Sequence, residues 1–239
     1  MIERQEIPLG FGRRSLAELR LVYAAMLAHE LPYWERGLLV AGVDEAGRGP
    51  LAGPVAAAAV VLNPERPLYG VDDSKRLSLA HRRALLSRIY RFARGVGVGF
   101  AEVDEVDRWG IAEATRIAMR RALAALPLVP DVVLVDAFPP KSGLLEVPLV
   151  RGDRRSASIA AASVVAKELR DRRLRAYGGL YPHYGFERHA GYGTVAHREA
   201  LVLHGPSAVH RRSFLRNIVW SVDRAKDGGA EGEVPHARL

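Results

Sequence analysis

The stretch "VAGVDEAGRGPLAGPVAAAAVVL" at residues 40–62 places two apolar runs on either side of a short polar segment. The two runs fall within residues 38–44 and 54–62, and each has the length and composition of a buried strand. Two adjacent carboxylates end the first run, and glycines then flank an arginine, which frees the backbone to turn and to approach a ligand closely. The residues of this polar segment are, in order, Asp44, Glu45, Ala46, Gly47, Arg48 and Gly49.

Strand-like and helix-like patterns alternate along the rest of the chain. Short early strands followed by helix-linked strands predict an α/β fold with a mixed sheet covered by helices. Further strands are predicted at 95–103, 131–137 and 147–150. Helices are predicted at 14–36, after Ser78, at 111–126 and at 157–176, with a loop-and-helix region at 177–225.

The composition indicates an ordinary globular protein with a basic surface. The 239 residues are enough for one good-sized core, and the absence of Cys excludes disulfides and thiolate chemistry. The N-terminus lacks an apolar export segment, and the longest apolar run, near 51–62, is too short to span a bilayer. We therefore expect a cytoplasmic protein without a membrane partner. The net charge of +8 favours a polyanionic partner such as nucleic acid.

Four carboxylates each follow an apolar run and adjoin a predicted turn. Taken singly, each is explained more simply as a turn or capping residue. However, two of them end predicted strands, and if those strands are parallel neighbours the side chains meet at one edge of the sheet. Oxygen ligands without His or Cys favour Mg²⁺ or Mn²⁺, and a pair of such ions can promote phosphoryl displacement by water. The four residues are Asp44, Glu45, Asp136 and Asp153.

Two points about the end of the first strand remain open: whether Asp44 and Glu45 share one site, and whether the glycine-flanked tripeptide binds a ligand. Neighbours in a regular strand point to opposite faces, so Asp44 and Glu45 share a site only if the backbone turns there, which Gly47 permits. Backbone donors freed by the glycines could bind a sugar hydroxyl or a phosphate. Taken alone, the tripeptide at 47–49 is explained better by a tight β-hairpin turn with an incidental arginine than by a ligand contact.

Several motifs, in this order, together resemble bacterial ribonuclease HII. They cover most of residues 38–215, and their joint occurrence by chance is negligible. The N-terminal helix and the C-terminal tail lie outside the resemblance. The motifs are "GVDEAGRGPLAGPVAAAAVVL", "DDSKRLS" (72–78), "VLVDA", "RGDRRSASIAAASVVAKELRD" (151–171) and "YPHYGFERHAGYGTVAHREALVLHGPSAVHRRSF" (181–214).

The resemblance implies a ribonuclease H-like fold, a mixed five-stranded sheet with helices on both faces, followed by a C-terminal helical region. It implies cleavage of RNA in RNA–DNA hybrids and incision 5′ of single ribonucleotides in duplex DNA, leaving 3′-hydroxyl and 5′-phosphate ends. It assigns metal binding, by Mg²⁺ or Mn²⁺ and with two ions in the substrate complex, to the four carboxylates named above. It assigns the 2′-hydroxyl sensor to Gly47, Arg48 and Gly49, and reading of the ribose-to-deoxyribose junction to Tyr192.

The predicted organisation has three parts, and we expect the enzyme to be a monomer. Residues 1–37 form an N-terminal helical extension, 38–225 the catalytic domain with its C-terminal helical region, and 226–239 a disordered tail. One departure from the family pattern is Ala190, where the family commonly has Lys. The departure puts substrate affinity in doubt, because a phosphate contact is missing or comes from Arg188 or Arg198.

Other polar residues are assigned weaker roles. Asp171 is read as a solvated or ion-paired residue, and Lys167 as one that could approach the acidic site. Ser163 is read as a packing residue. Three histidines, His183, His189 and His197, are read as loop or phosphate-side residues, and the run "HRRSF" at 210–214 as gripping phosphate or pairing with acidic neighbours.

Two alternative functions remain open at this point. The first is another nuclease of the same fold, such as a hybrid-only ribonuclease, although such an enzyme needs no junction sensor. The second is a nucleic-acid-binding protein without catalysis, which would be expected to have lost one of the four carboxylates. All four are present in the sequence.

Overall fold

The computed structural model of the chain describes residues 15–216, and within them five strands form one sheet. The strand order is β3-β2-β1-β4-β5. The pairs β1–β2 and β2–β3 are antiparallel, whereas β1–β4 and β4–β5 are parallel, so the sheet is mixed. The strands are β1 (Val40–Ala46), β2 (Val55–Val61), β3 (Gly95–Ala101), β4 (Val132–Asp136) and β5 (Leu145–Leu149).

Helices precede, connect and follow the strands. Among residues 15–216, no helix is both long and apolar enough to cross a membrane. The α-helices are α1 (Leu16–Met26), α2 (Leu31–Trp34), α3 (Leu79–Phe92), α4 (Val103–Ala124), α5 (Ala157–Leu180), α6 (Phe186–His189) and α7 (Val195–His204). Short 3-10 turns lie at Leu27–His29, Gly152–Arg154, Pro182–Tyr184 and Arg212–Phe214.

The central strand β2 shows why helices cover both faces of the sheet. All seven of its residues are buried, as expected for a strand whose two faces both pack against other elements. Ala58 and Val60 pack in the core formed with α3 and α5. Val55 and Ala57 pack in the core formed with α4. The predicted α/β fold, with a mixed five-stranded sheet, helices on both faces and a C-terminal helical region, is confirmed.

Helix α5 packs unusually close to β1, and Gly42 is the residue that permits this. A Cβ atom at Gly42 would lie 2.1 Å from the backbone carbon of Ser158 and 2.3 Å from the backbone nitrogen of Ile159. Backbone atoms cannot rotate away as a side chain can. The first turn of α5 is therefore pressed against the strand that carries two of the predicted site residues.

The N-terminal segment is tied to the start of α5 by a buried carboxylate. The Glu30 side chain is fully buried, and its Oε1 accepts hydrogen bonds from Ser156 Oγ at 2.6 Å, Ser158 Oγ at 2.7 Å and the Ser158 N–H at 3.0 Å. The positive end of the helix dipole also favours a negative charge at this position. Tyr23 and Met26 of α1 join the core on the same face of the sheet.

Two predicted helices differ from the structure in their continuity. The single helix predicted over 14–36 is interrupted by the 3-10 turn at 27–29, and Pro32 occupies the first turn of α2, where its missing N–H costs nothing. The helix predicted over 111–126 is the second part of α4, which has a break at Gly110 with φ +74°. Residue 14, the last part of the region 177–225 and the predicted tail at 226–239 lie outside the described residues.

Candidate active site

Strands β1 and β4 bring two carboxylates to the same edge of the sheet. The strands run parallel and pair up to Val43 and Val135, so Asp44 and Asp136 occupy the next position on each strand. Beyond Val43, β1 pairs only with β2 among the described strands, which leaves the β4-facing edge of residues 44–46 open. Strands β1 and β4 are therefore parallel neighbours, which is the condition under which the sequence predicts that their carboxylates meet.

A cavity of about 880 Å³ lies at this open edge. Strand β1 continues through Glu45 to Ala46, so the backbone turn expected at Glu45 begins only at Gly47. Asp44 and Glu45 nevertheless both line the cavity, because it lies where β1 has lost its neighbour. All eight residues that the sequence singled out line it, namely Asp44, Glu45, Gly47, Arg48, Gly49, Asp136, Asp153 and Tyr192.

Asp153 is brought to the site by the 3-10 turn that follows β5. Arg151 adopts a left-handed conformation with φ +56° and starts this turn. The Gly152 N–H then donates to Asp136 Oδ1 at 2.7 Å, which joins the turn to the end of β4. Asp153 is 8% exposed and faces the same cavity as Asp136. One backbone hydrogen bond thus sets the relative position of two of the carboxylates.

The carboxylates destabilise one another as charged groups. Burial raises the pKa of Asp44 well above its ordinary value, and the charges of Glu45 and Asp136 raise it further. Burial also raises the pKa of Glu45, although the nearby charge of Arg48 partly opposes this. The pKa of Asp153 is raised by burial and by neighbouring carboxylates including Asp136. A cation in the cavity would relieve both the repulsion and the desolvation.

The oxygen atoms of the carboxylates suit a hard divalent cation, although they do not converge on a single ion position. Glu45 Oε2 is buried and has no hydrogen-bond partner. Within residues 15–216, no three His, Asp or Glu side chains converge closely enough to hold an ion as they stand. The carboxylates therefore line one cavity without closing on a common point, and binding an ion would require them to move closer together. Oxygen ligands of this kind suit Mg²⁺ or Mn²⁺.

Basic and hydroxyl side chains border the acidic group. Lys167 and Lys75 line the cavity, and Lys167 Nζ lies 2.7 Å from Asp171 Oδ1, one helical turn further along α5. Asp171 is therefore ion-paired and buried rather than solvated. Ser163 Oγ donates to Ser74 Oγ at 2.9 Å, which ties α5 to the loop that carries Lys75. Ser163 thus fixes that loop, and it also lines the cavity together with Asp44, so its place is at the site as well as in the contact between helix and loop.

The loop after β1 depends on Gly47. Its φ is +95°, and a Cβ atom there would lie 1.9 Å from Arg170 Nε. Arg48 then turns back over the cavity mouth, with its Nη1 atom 3.5 Å from Glu45 Oε1. The Arg48 guanidinium carbon lies 5.1 Å from the ring centroid of Phe138. The arginine of the tripeptide is therefore held between a carboxylate and an aromatic ring.

The loop that carries Tyr192 packs directly against this first loop. Gly191 has φ +81°, and a Cβ atom there would lie 2.6 Å from the Ala52 carbonyl oxygen. The Leu51 N–H donates to the Gly191 carbonyl oxygen at 2.9 Å. A Cβ atom at Gly49 would lie 3.9 Å from Tyr192 Cε1, so the tyrosine ring borders the tripeptide. Tyr192 is 42% exposed and offers its ring to the cavity.

His197 is a core residue, so its interpretation as a loop or phosphate-side residue is wrong. The Ser207 N–H donates to His210 Nδ1 at 3.0 Å, which places the His210 proton on Nε2. That proton is donated to His197 Nε2 at 3.0 Å, so His197 carries its own proton on Nδ1 and donates it to the Tyr192 carbonyl oxygen at 2.8 Å. Two neutral histidines therefore hold the backbone of Tyr192. The ring of His189 stacks on His197, with centroids 4.5 Å apart.

The histidine pair should make folding sensitive to acid. Burial and the neighbouring His197 lower the pKa of His210 from 6.5 to about 4, and burial lowers the pKa of His197. Below pH 6.5 the unfolded chain binds a proton at His210, whereas the folded protein does not bind it until the pH approaches about 4. The contribution of this pair to the free energy of unfolding is therefore fully present above pH 6.5 and declines as the pH falls toward about 4. Urea unfolding of wild type and His210→Gln at pH 7 and pH 5 measures this. We expect wild type to lose roughly 2 kcal/mol more than the variant over that interval.

Comparing the two proteins cancels the contribution of the carboxylates, which is common to both. The His210→Gln variant should be less stable at pH 7, because it loses the bond to His197, but its stability should vary less with pH. Equal pH dependence of the two proteins would show that the pair does not titrate as described.

The role of Arg211 is not visible in the sequence. The run at 210–214 was expected to grip phosphate or to pair with acidic side chains. The pairing with an acidic side chain is confirmed at the end of the run, where the N–H groups of Arg212 and Ser213 donate to Asp107. Arg211 differs from both expectations, because it is fully buried and donates to carbonyl oxygens of the loop after β1. Nothing in the local pattern distinguishes a buried arginine from its exposed neighbours, so no sequence signal could have identified it.

Comparisons with known proteins agree with this geometry. A family model described as Ribonuclease HII matches residues 41–217. Ribonuclease HII of Lactobacillus johnsonii is 49% identical over 212 residues, covering 88% of this chain and 85% of the relative. The ribonuclease H2 structure from Pyrococcus horikoshii OT3 superposes with a TM-score of 0.67 at 26% identity, over 80% of this chain and 100% of that one. Bst-RNase HIII in complex with Mn²⁺ has a TM-score of 0.60 at 18% identity, over 78% of this chain and 71% of that one, and shares the fold.

Proposed function

The chain belongs to the ribonuclease HII family of endoribonucleases, which act on RNA–DNA hybrids, and on that premise we propose that it also incises duplex DNA 5′ of a single ribonucleotide. The products would be 3′-hydroxyl and 5′-phosphate ends. The observation that carries the proposal is that the four carboxylates and both glycine-flanked loops line one cavity. We further propose that the enzyme acts as a monomer in the cytoplasm.

The four carboxylates are proposed to bind Mg²⁺ or Mn²⁺, with two ions in the substrate complex. When bound, such ions activate a water molecule and stabilise the leaving oxygen in an in-line displacement at phosphorus. The unpartnered Glu45 Oε2 and the mutual repulsion of Asp44, Glu45 and Asp136 support this assignment. The bond from Gly152 to Asp136 holds Asp153 in place for the same task.

The other residues of the cavity would bind and orient the nucleic acid. Lys75 and Lys167 lie beside the carboxylates, where they can contact phosphates flanking the cleaved bond. The backbone donors at Arg48 and Gly49 are free to meet the 2′-hydroxyl, which is the group that distinguishes RNA from DNA. The ring of Tyr192 borders those donors and can pack against the sugar that follows.

A nicking assay tests the proposed function. The substrates are three duplexes of one sequence: all-DNA, DNA with a single ribonucleotide, and an RNA–DNA hybrid. We expect cleavage of the last two, with Mg²⁺ or Mn²⁺ present and not with chelator. Cleavage of the hybrid alone would indicate a hybrid-only ribonuclease. Binding without cleavage at either metal would indicate a nucleic-acid-binding protein.

Tyr192→Ala should impair incision at a single ribonucleotide more than cleavage of continuous RNA. A single ribonucleotide offers one 2′-hydroxyl followed by a deoxyribose, so the ring contact at that junction carries more of the recognition than in a hybrid. Stacking of an aromatic ring is worth about 1–3 kcal/mol, which predicts a loss of roughly 5- to 150-fold in kcat/KM on the single-ribonucleotide duplex. Tyr192→Phe, which keeps the ring, is the control. Equal losses on the two substrates would assign Tyr192 a structural role.

A further inference from the structure

The loop between β1 and β2 is built around one buried side chain, the guanidinium of Arg211. This residue is fully buried. Its Nη2 donates to the Gly47 carbonyl oxygen at 2.7 Å, and its Nη1 donates to those of Arg48 at 3.0 Å and Pro50 at 2.9 Å. Its Nε donates to the Gly53 carbonyl oxygen at 2.9 Å. Four carbonyl groups of the eight-residue loop at 47–54 therefore point inward to a single planar group.

The direction of these carbonyls also fixes the direction of two N–H groups. In a planar trans peptide, the C=O of one residue and the N–H of the next point in opposite directions. Since the Gly47 and Arg48 carbonyls point to Arg211, the N–H groups of Arg48 and Gly49 point away from it. No acceptor within residues 15–216 takes either N–H group. Both therefore face outward from the part of the loop that lines the cavity.

We propose that Arg211 is a positioning residue that aims the N–H groups of Arg48 and Gly49 at the 2′-hydroxyl of the ribonucleotide. The inference rests on the proposed function and deepens it. Arg211 itself is buried and would not touch the substrate. Its effect would pass through the loop backbone, which carries the two outward N–H donors. No side chain could supply these two donors instead.

The site favours arginine over lysine for two physical reasons. A guanidinium is planar and can serve four acceptors at once, whereas an ammonium on a flexible stem cannot match that fork. Burial and the nearby charge of Arg170 lower the pKa of Arg211 to about 9. A lysine, whose ordinary pKa is about 10.4, would under the same influences lose its proton near neutral pH. Arg211→Lys should therefore release the loop, because the planar fork and the charge are both lost, while a long side chain still fills the site.

A second buried arginine has a separate task. Arg170 donates to the carbonyl oxygens of Ala52, Pro54 and Ala190, all at 3.0–3.1 Å. These contacts hold the far end of the loop and join it to the residue before Gly191. They do not involve the carbonyls of residues 47 and 48, whose direction sets the two outward donors.

The test measures how well Arg211→Lys distinguishes a ribonucleotide from DNA. Dissociation constants are measured in chelator for two duplexes that differ by one 2′-hydroxyl, and the readout is their ratio. Two misdirected hydrogen bonds should reduce the ratio roughly tenfold or more, toward one, while affinity for the all-DNA duplex stays near that of wild type. Loss of folded protein would weaken binding to both duplexes equally and leave the ratio unchanged. Arg88→Lys is the control, since Arg88 Nη1 donates to the Tyr69 carbonyl oxygen at 3.2 Å, away from the loop.

A measurement on wild type keeps the proposal testable if the lysine variant does not fold. The amide resonances of Arg48 and Gly49 should shift on titration with the ribonucleotide duplex and not with the all-DNA duplex. A wild-type protein that prefers neither duplex would overturn the proposed function itself. A wild-type preference that persists in Arg211→Lys, with affinity for the all-DNA duplex also unchanged, would overturn the role of Arg211 alone. Amide signals that respond equally to both duplexes would overturn the contact of the Arg48 and Gly49 N–H groups with the 2′-hydroxyl, and with it the positioning role of Arg211.

Discussion

Asp136→Asn should abolish phosphodiester cleavage while leaving affinity for an RNA–DNA hybrid nearly unchanged. The asparagine keeps an oxygen that can accept the Gly152 N–H, so the turn that carries Asp153 stays in place. What is lost is the negative charge that holds a cation at the end of β4. A metal ion contributes several kcal/mol to the stabilisation of a phosphoryl-transfer transition state, so we expect kcat to fall by about 10³-fold or more. Binding should persist because it depends mainly on contacts with phosphates.

Strand β4 offers a matched control at its other end. Asp131 precedes the strand and accepts the Leu39 N–H at 2.8 Å, so Asp131→Asn makes the same chemical change away from the cavity. It should leave cleavage intact. Thermal unfolding with and without Mn²⁺ provides a second readout, because the ion should stabilise wild type and Asp131→Asn but not Asp136→Asn. Cleavage by Asp136→Asn near the wild-type rate would remove this residue from the metal site.

Gly42→Ala should be among the most destabilising single changes in the protein. The added methyl would lie 2.1 Å and 2.3 Å from backbone atoms of α5, so either β1 or the helix must move. Overpacking of a buried site typically costs 1–3 kcal/mol, and a clash with backbone belongs at the upper end, so we expect a loss of about 3 kcal/mol or more in the free energy of unfolding. Urea denaturation measures it.

Gly179 provides the comparison within the same helix. A Cβ atom at Gly179 meets no atom within 4 Å, and the residue lies near the C-terminal end of α5. Gly179→Ala should therefore raise stability, by up to about 1 kcal/mol, because alanine favours a helix more than glycine does. If Gly42→Ala were as mild as Gly179→Ala, the contact between α5 and β1 would be looser than the structure shows.

The sequence predicted the elements whose local pattern matches their environment. Strand β2 is apolar throughout because both of its faces are buried, and α3 begins after Ser78, whose side chain caps it as expected. The sequence predicts that Asp44 and Asp136 lie close together only if their two strands are parallel neighbours. Which strands become neighbours is decided by the packing of the whole chain.

The burial of polar side chains is the feature of this protein that its sequence predicts least well. Arg211, His197 and Glu30 carry the signature of surface residues, since such side chains are mostly exposed in proteins. Each has hydrogen-bond partners elsewhere in the chain: loop carbonyls for the arginine, a second histidine for His197, and the start of α5 for the Oε1 atom of Glu30. A pattern of hydrophobicity along the chain contains no information about partners so far away in sequence.

The contact of Glu30 with the start of α5 also bears on how the protein is made. Its partners Ser156 and Ser158 lie 126 and 128 residues later in the chain. On a growing polypeptide, α1 and Glu30 leave the ribosome long before the residues that receive them, and closing so long a loop is slow. Asp153 is synthesised just ahead of those serines. The residue that completes the acidic cluster is thus followed at once by the serines that bind Glu30. A nascent chain that ends before Asp153 has neither a finished core nor a nuclease site.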